Sequence, residues 1–169
     1  LQNFILELLE KDEVILIKGN HEELLVDMLN SWHRASYLES HHNSNGTVDT
    51  VLQLTGSRLA DLYDNPSDVY YKMKETPFMQ KILPAMVDYF ETENHIFVHG
   101  WIPCESIRQN PYAVTYFAID DWRNASAKQW SSARWINGMA AAHDGVIEEN
   151  KTIVCGHWHS SYGHSRYER

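Results

Sequence analysis

At 169 residues the chain is long enough for one domain with a substantial core. Its hydrophobic content of 43% and charged content of 22% are ordinary for a soluble globular protein. The net charge of −9, with no basic stripe, argues against binding of a nucleic-acid polymer. Residues 1–169 contain no apolar segment of membrane-spanning length, no recognisable signal peptide and only two cysteines, Cys104 and Cys155, so we predict a cytoplasmic protein with no membrane partner.

The first two predicted elements suggest that the domain starts before residue 1. Apolar residues at helical spacing predict a helix over 1–11, and the β-branched run 14–18 predicts a strand buried on both faces, as in a parallel sheet. A helix that leads directly into a buried parallel strand needs an earlier strand to cross over from. We therefore expect the N-terminal strands of the domain to be missing from this chain.

The sequence Gly-Asn-His-Glu at 19–22 follows this strand and opens a helix that is predicted to reach about Ser31. Open α/β sheets bind ligands at the carboxyl ends of their strands, which is where Asn20 and His21 lie. An Asn side-chain oxygen is a neutral ligand for a divalent metal, and His can ligate, donate a proton or stabilise an oxyanion. The alternative is an Asn–His turn that only caps the helix.

Residues 32–93 are predicted to form a helical insertion between two strands of the sheet. The insertion could be a lid or specificity cap, or it could serve packing alone. It starts with a polar loop at 32–45, where the adjacent His41 and His42 are expected to face solvent rather than to bind metal. The other elements predicted in it are helices over 47–63 and 76–93, a turn over 65–68 and a kink at Pro84.

Two later strands also end in histidines. The apolar run 95–98 leads into His99-Gly100, and the run 152–155 leads into Gly156-His157-Trp158-His159. In a parallel or mixed sheet these ends would lie on one edge with Asn20 and His21. The alternative is that each His is a structural residue at the end of a strand. Between these runs, a strand is predicted over 113–119 and a partly helical segment over 120–142.

Three of these segments together resemble a known family. The sequences GNHE at 19–22, VHG at 98–100 and GHWH at 156–159 resemble the third, fourth and fifth motifs of the calcineurin-like metallophosphoesterases. The GNHE spelling is similar to the branch that holds the serine/threonine protein phosphatases and the symmetrical dinucleoside tetraphosphatases. The resemblance runs from the first strand to nearly the last residue.

The resemblance implies an α/β fold of the metallophosphoesterase type, an α/β–β/α sandwich with mixed sheets. Residues 1–169 would be a single, N-terminally truncated domain, with 32–93 inserted within it. The implied activity is hydrolysis of a phosphoester by a dinuclear metal centre, as in the serine/threonine protein phosphatases. The alternatives are a symmetrical dinucleoside tetraphosphatase and a degenerate, non-catalytic member that acts as a binding module.

The resemblance also implies roles for individual residues. His21 would be the general acid for the leaving oxygen, or would stabilise the charge there. Arg134, which follows Trp130 in the region where the protein phosphatases place a phosphate-binding Arg, would bind the substrate, unless it simply lies on a solvated helix face. The two divalent ions would be manganese, in preference to iron or zinc. Their ligands would be Asn20, His99 and His157 on one metal and His159 on the other.

The chain departs from the family pattern at its start. The family's first two motifs, Asp-x-His and Gly-Asp-x-x-Asp, do not occur in residues 1–169. They would supply the bridging Asp and two further ligands, so we expect them upstream, and the chain as given could be inactive. The substrate would be a phosphoprotein, a small phosphoester or a dinucleotide. The first two are favoured because no purine-stacking motif is evident near the site.

Overall fold

The computed structural model describes residues 1–12, 14–34, 41–110 and 113–158 and has a mixed α/β architecture. Every helix in these ranges is too short or too polar to cross a lipid bilayer. The chain forms two compact units. One contains Leu1–Leu16 and His21–Met86, and the other contains Ile17–Asn20 and the chain from Val87 onward.

Short helices build the first unit. Its core contains fully buried Met28, Val51, Val69 and Met73, each contributed by a different turn of these helices. Their apolar residues recur every three or four positions, which gives each helix one face to bury. The elements are α1 (Gln2–Glu10), α2 (Asn20–Asn30), a 3-10 turn (Trp32–Arg34), α3 (His41–Ser44), α4 (Thr47–Thr55), α5 (Leu59–Asp64), α6 (Pro66–Lys74), a π-helical turn (Phe78–Ile82) and a 3-10 turn (Leu83–Ala85).

The helices predicted at 1–11 and 20–31 are confirmed, but three elements predicted after residue 46 in the insertion differ from the structure. The helix predicted over 47–63 is interrupted at Gly56, whose φ of +64° ends α4 in the left-handed conformation. The turn predicted at 65–68 is wrong, because Pro66 is the first residue of α6. At that position the missing N–H of proline removes no hydrogen bond of the helix. The helix predicted over 76–93 stops at Ala85, just after Pro84, and strands follow it.

The predictions for the first strand and the polar loop also need correction. The run 14–18 forms only β1 (Leu16–Ile17), which is half-buried, and Ile15 is 49% exposed, so burial on both faces is wrong. The loop predicted at 32–45 contains α3, and within α3 the side chain of His42 is buried. Residues 35–40 of that prediction lie outside the described part of the chain.

A mixed three-stranded sheet organises the second unit. It is made of β3 (Tyr89–Glu91), β4 (His95–Val98) and β7 (Thr152–Val154), in the order β3-β4-β7. Strand β3 pairs antiparallel with β4, and β4 pairs parallel with β7. The carboxyl ends of β4 and β7 therefore lie side by side, which confirms the prediction that these two strands end on one edge.

Two further strand pairs complete the sheets. Strand β1 pairs with β2 (Met86–Val87), and the N–H of Lys18 donates to the carbonyl of Val87 at 2.8 Å. Strand β5 (Cys104–Asn110) pairs antiparallel with β6 (Ala113–Ala118), which confirms the strand predicted at 113–119. Strand β5 was not predicted, because its sequence CESIRQN is polar and almost wholly exposed.

Aromatic side chains fill the core of the second unit. Trp101, Trp122 and Trp130 are buried with Ile96 of β4, and the Tyr89 ring stacks on Trp130 with centroids 5.3 Å apart. The indole N–H of Trp101 donates to the carbonyl of Val146 at 2.8 Å, so its polar edge is satisfied. The helical elements around this core are a 3-10 turn (Trp122–Asn124), α7 (Ala127–Ala133) and α8 (Gly138–His143).

Two cationic side chains pair with Glu91, the last residue of β3. Arg123 donates two hydrogen bonds to the Glu91 carboxylate, at 2.6 and 2.8 Å, and Lys151 lies 2.7 Å from the same group. These donors, Arg123 foremost, lower the pKa of Glu91 to about 2. The pairing therefore stabilises the fold at every pH at which the Glu91 carboxyl is ionised.

Candidate metal centre

Three of the predicted metal ligands meet in the second unit. Nε2 of His99 lies 2.7 Å from Oδ1 of Asn20 and 3.2 Å from Nδ1 of His157. His99 and His157 follow the parallel strands β4 and β7, and the N–H of Gly156 extends their pairing by donating to the His99 carbonyl at 2.9 Å. Parallel pairing thus brings together two histidines that are 58 positions apart in the sequence.

Asn20 contributes a buried amide to this cluster. Its side chain is only 1% exposed, although Asn is usually a surface residue. A buried amide oxygen needs a partner that donates a proton or carries positive charge, because it can only accept. The first residue of α2 therefore directs its polar group toward His99 rather than toward solvent.

His157 has an unusual backbone conformation. Its φ is +67°, in the left-handed region that few residues other than Gly adopt, although His is among those enriched there. Backbone strain of this kind costs on the order of 1–3 kcal/mol and is concentrated at functional sites. The His157 ring also meets two half-exposed indoles edge to face, Trp135 at 5.8 Å and Trp158 at 5.6 Å.

Gly100 holds the turn after β4 against the end of α7. An added Cβ would lie 2.4 Å from the carbonyl oxygen of Ala133, and the N–H of Trp101 donates to that oxygen at 3.1 Å. A side chain at position 100 would therefore push His99 away from its place. The sequence showed Gly100 only as a residue after a strand; the close backbone approach depends on packing that the sequence pattern does not reveal.

Arg134 follows α7 and is buried, with 5% of its surface exposed. Its Nη2 forms a close ion pair with Oδ1 of Asp88. The alternative of an Arg on a solvated helix face is therefore wrong. Phosphate binding by Arg134 stays a prediction. Asp88 was missed because residue 88 falls inside the helix predicted over 76–93.

Two predicted site residues remain, His21 and His159. His21 is exposed in the first turn of α2, beside Glu22 and Glu23, where the helix dipole favours acidic groups. His159 lies outside the described residues.

No protein-family model matches this chain. No curated protein and no solved structure matches it either.

Proposed function

We propose that the chain belongs to a metal-dependent phosphoesterase of the serine/threonine protein phosphatase type. The observation that carries the proposal is the convergence of Asn20 Oδ1, His99 Nε2 and His157 Nδ1. The mixed sheet β3-β4-β7 is compatible with the α/β–β/α sandwich that the motifs imply, and we propose that fold as well.

The three converging atoms fit a divalent metal. Ligand bonds of about 2.0–2.2 Å place neighbouring ligand atoms roughly 2.8–3.5 Å apart around an ion. The observed separations are 3.2 Å, within this range, and 2.7 Å, just below it. One amide oxygen and two imidazole nitrogens suit manganese, iron or zinc better than magnesium. When bound, a dinuclear pair of such ions would polarise the phosphoryl oxygens and lower the pKa of a bound water.

A purely structural interpretation explains the convergence less well. A hydrogen bond from His99 to Asn20 requires the proton on Nε2, because the amide oxygen only accepts. The single N–H of Nε2 can align with only one of its two neighbours, Asn20 Oδ1 or His157 Nδ1. A cation among the three atoms would instead receive a lone pair from each of them.

The chain's other residues would bind and protonate the substrate. His21 adjoins Asn20 in the sequence and is exposed, so its imidazole is open to a substrate and can give a proton to the leaving oxygen. Arg134 supplies a guanidinium that matches phosphate geometry, provided that the phosphate shares it with Asp88. His159 would add the ligand for the second ion.

One observation favours dinucleotide hydrolysis as a second candidate. Trp135 is 43% exposed and Trp158 is 47% exposed, and both rings lie against His157. Exposed aromatic faces stack nucleobases irrespective of sequence. Although no purine-stacking motif is evident in the sequence, the structure therefore offers such a surface beside a candidate metal ligand.

A substrate panel tests both candidates. The full natural chain that contains residues 1–169, supplied with Mn²⁺, is assayed on p-nitrophenyl phosphate, a phosphoserine peptide and a dinucleoside tetraphosphate. We expect the phosphopeptide to be hydrolysed fastest and His99→Ala to abolish all three activities. A faster rate on the dinucleotide, with a KM that rises in Trp158→Leu, would instead establish the second candidate. Absence of hydrolysis of all three substrates by metal-loaded protein would refute the proposed function.

A further inference from the structure

The first unit contains a separate cluster of metal-binding side chains. Asp27 lies on α2, and His41 and His42 open the short helix α3. Each offers one ligand atom, and these three atoms all lie within 4.8 Å of one another. We propose that Asp27, His41 and His42 form a site for one divalent transition-metal ion of the zinc class, on residues that the phosphoesterase motifs do not use.

The distances in this cluster suit a small ion. Nε2 of His42 lies 3.5 Å from Oδ2 of Asp27. Zinc bound at about 2.0–2.1 Å in a tetrahedron holds its ligand atoms roughly 3.4 Å apart, which is nearly this separation. The rings of His41 and His42 have centroids 4.2 Å apart, so both imidazoles lie on the same side of α3. Small side-chain rotations would bring all three atoms onto one ion.

An ordinary ion pair between His42 and Asp27 is a poorer explanation. An ion pair needs a protonated imidazole, but His42 is 2% exposed and lies beside His41. Burying a charged imidazole carries a desolvation penalty. At 3.5 Å the two groups are also too far apart for a strong hydrogen bond.

The exposure of the ligands indicates what kind of site this would be. Asp27 and His41 are exposed while His42 is buried, so the ion would sit at the surface with its outer side open to water. Two imidazoles and one carboxylate are a donor set typical of zinc, with a fourth position left for solvent. Because the ligands come from α2 and α3, binding would fasten these two helices together and stabilise the unit by mass action.

Zinc titration of the full chain tests the proposal with variants of exposed residues. In His41→Gln and in Asp27→Asn we expect one bound Zn²⁺ fewer per chain, or a dissociation constant at least about tenfold higher. His33→Gln is the matched control, because His33 is another exposed histidine of the same unit. It should bind zinc like the parent. Zinc should also raise the melting temperature of the control more than that of His41→Gln.

The outcome separates this site from the proposed phosphoesterase centre. If His41→Gln and Asp27→Asn bind as many zinc ions, as tightly, as His33→Gln, the helical site is refuted whatever His99→Ala does. If they lose one ion while His99→Ala leaves the remaining zinc unchanged, the helical site stands and the phosphoesterase centre fails. Circular dichroism of each variant without metal checks that folding is retained, and Asp27→Asn serves if His41→Gln unfolds.

Discussion

Replacing Gly100 with alanine tests how closely the turn after β4 packs against α7. The added Cβ would lie 2.4 Å from the carbonyl oxygen of Ala133 and 2.7 Å from that of Arg134. Both neighbours are backbone atoms, so relief requires a shift of the turn or of the helix end. Overpacking of this kind costs about 1–3 kcal/mol of unfolding free energy. We expect His99 to be displaced with the turn.

Gly156→Ala is the matched control, because Gly156 adjoins His157 as Gly100 adjoins His99. The nearest heavy atom to its added Cβ would be the His99 carbonyl oxygen at 3.8 Å, an ordinary contact. A glycine-to-alanine change that the backbone accommodates stabilises a protein by about 0.4–1 kcal/mol, through lower entropy of the unfolded chain. The two substitutions should therefore shift stability in opposite directions.

Urea denaturation followed by tryptophan fluorescence measures the difference, since Trp101, Trp122 and Trp130 are buried in this unit. Gly100→Ala should lower the midpoint and weaken metal binding under conditions in which the variant is still folded. Gly156→Ala should keep or raise the midpoint. Equal midpoints for the two variants would refute the close approach of residue 100 to α7.

Two further predictions concern charge and proton transfer. Glu91→Gln should destabilise the protein by roughly 1–2 kcal/mol at pH 7, measured by urea denaturation. The pKa of Glu91 is lowered to about 2, so its ionised carboxylate stabilises the fold fully above the unfolded-state pKa near 4.5, and the stability deficit of the variant should shrink as the pH falls from 4.5 toward 2. A deficit that stays constant over that range would contradict the pairing of Glu91 with Arg123. The His21→Asn variant should bind as much metal as the parent but hydrolyse phosphoserine about 100- to 10,000-fold more slowly. Its rate on p-nitrophenyl phosphate should fall much less, because that leaving group needs little protonation. An equal loss on both substrates would contradict the role of His21 as general acid.

Local sequence patterns predicted the parts of the site that depend on local structure. The apolar runs that end at His99 and His157 identify strands followed by polar residues, and these strands form where predicted. The GNHE turn also correctly places Asn20 at the start of a helix. What the pattern could not supply was which strands adjoin, since pairing of β4 with β7 depends on contacts between distant parts of the chain.

The failures arise where tertiary contacts override local patterns. His42 belongs to a polar stretch, yet it is buried because α3 packs its side chain inward. Strand β5 is polar and pairs through its backbone with β6, so it has no apolar alternation to detect. The apolar spacing beyond Pro84 resembles a helix, but the helical turns end at Ala85, and residues 86–87 and 89–91 form strands instead.

The most direct test of the proposed centre is the metal content of the full natural chain that contains residues 1–169. It is measured by elemental analysis after Mn²⁺ loading, in a His41→Gln background that removes a ligand of the proposed Asp27–His41–His42 site. His95→Ala is the control, because His95 is an exposed histidine at the start of β4, the strand that His99 directly follows. We predict about two ions per chain in the parent and the control, and the loss of at least one in both His99→Ala and His157→Ala. Full metal content in both of these variants would contradict the assignment of Asn20, His99 and His157 as metal ligands.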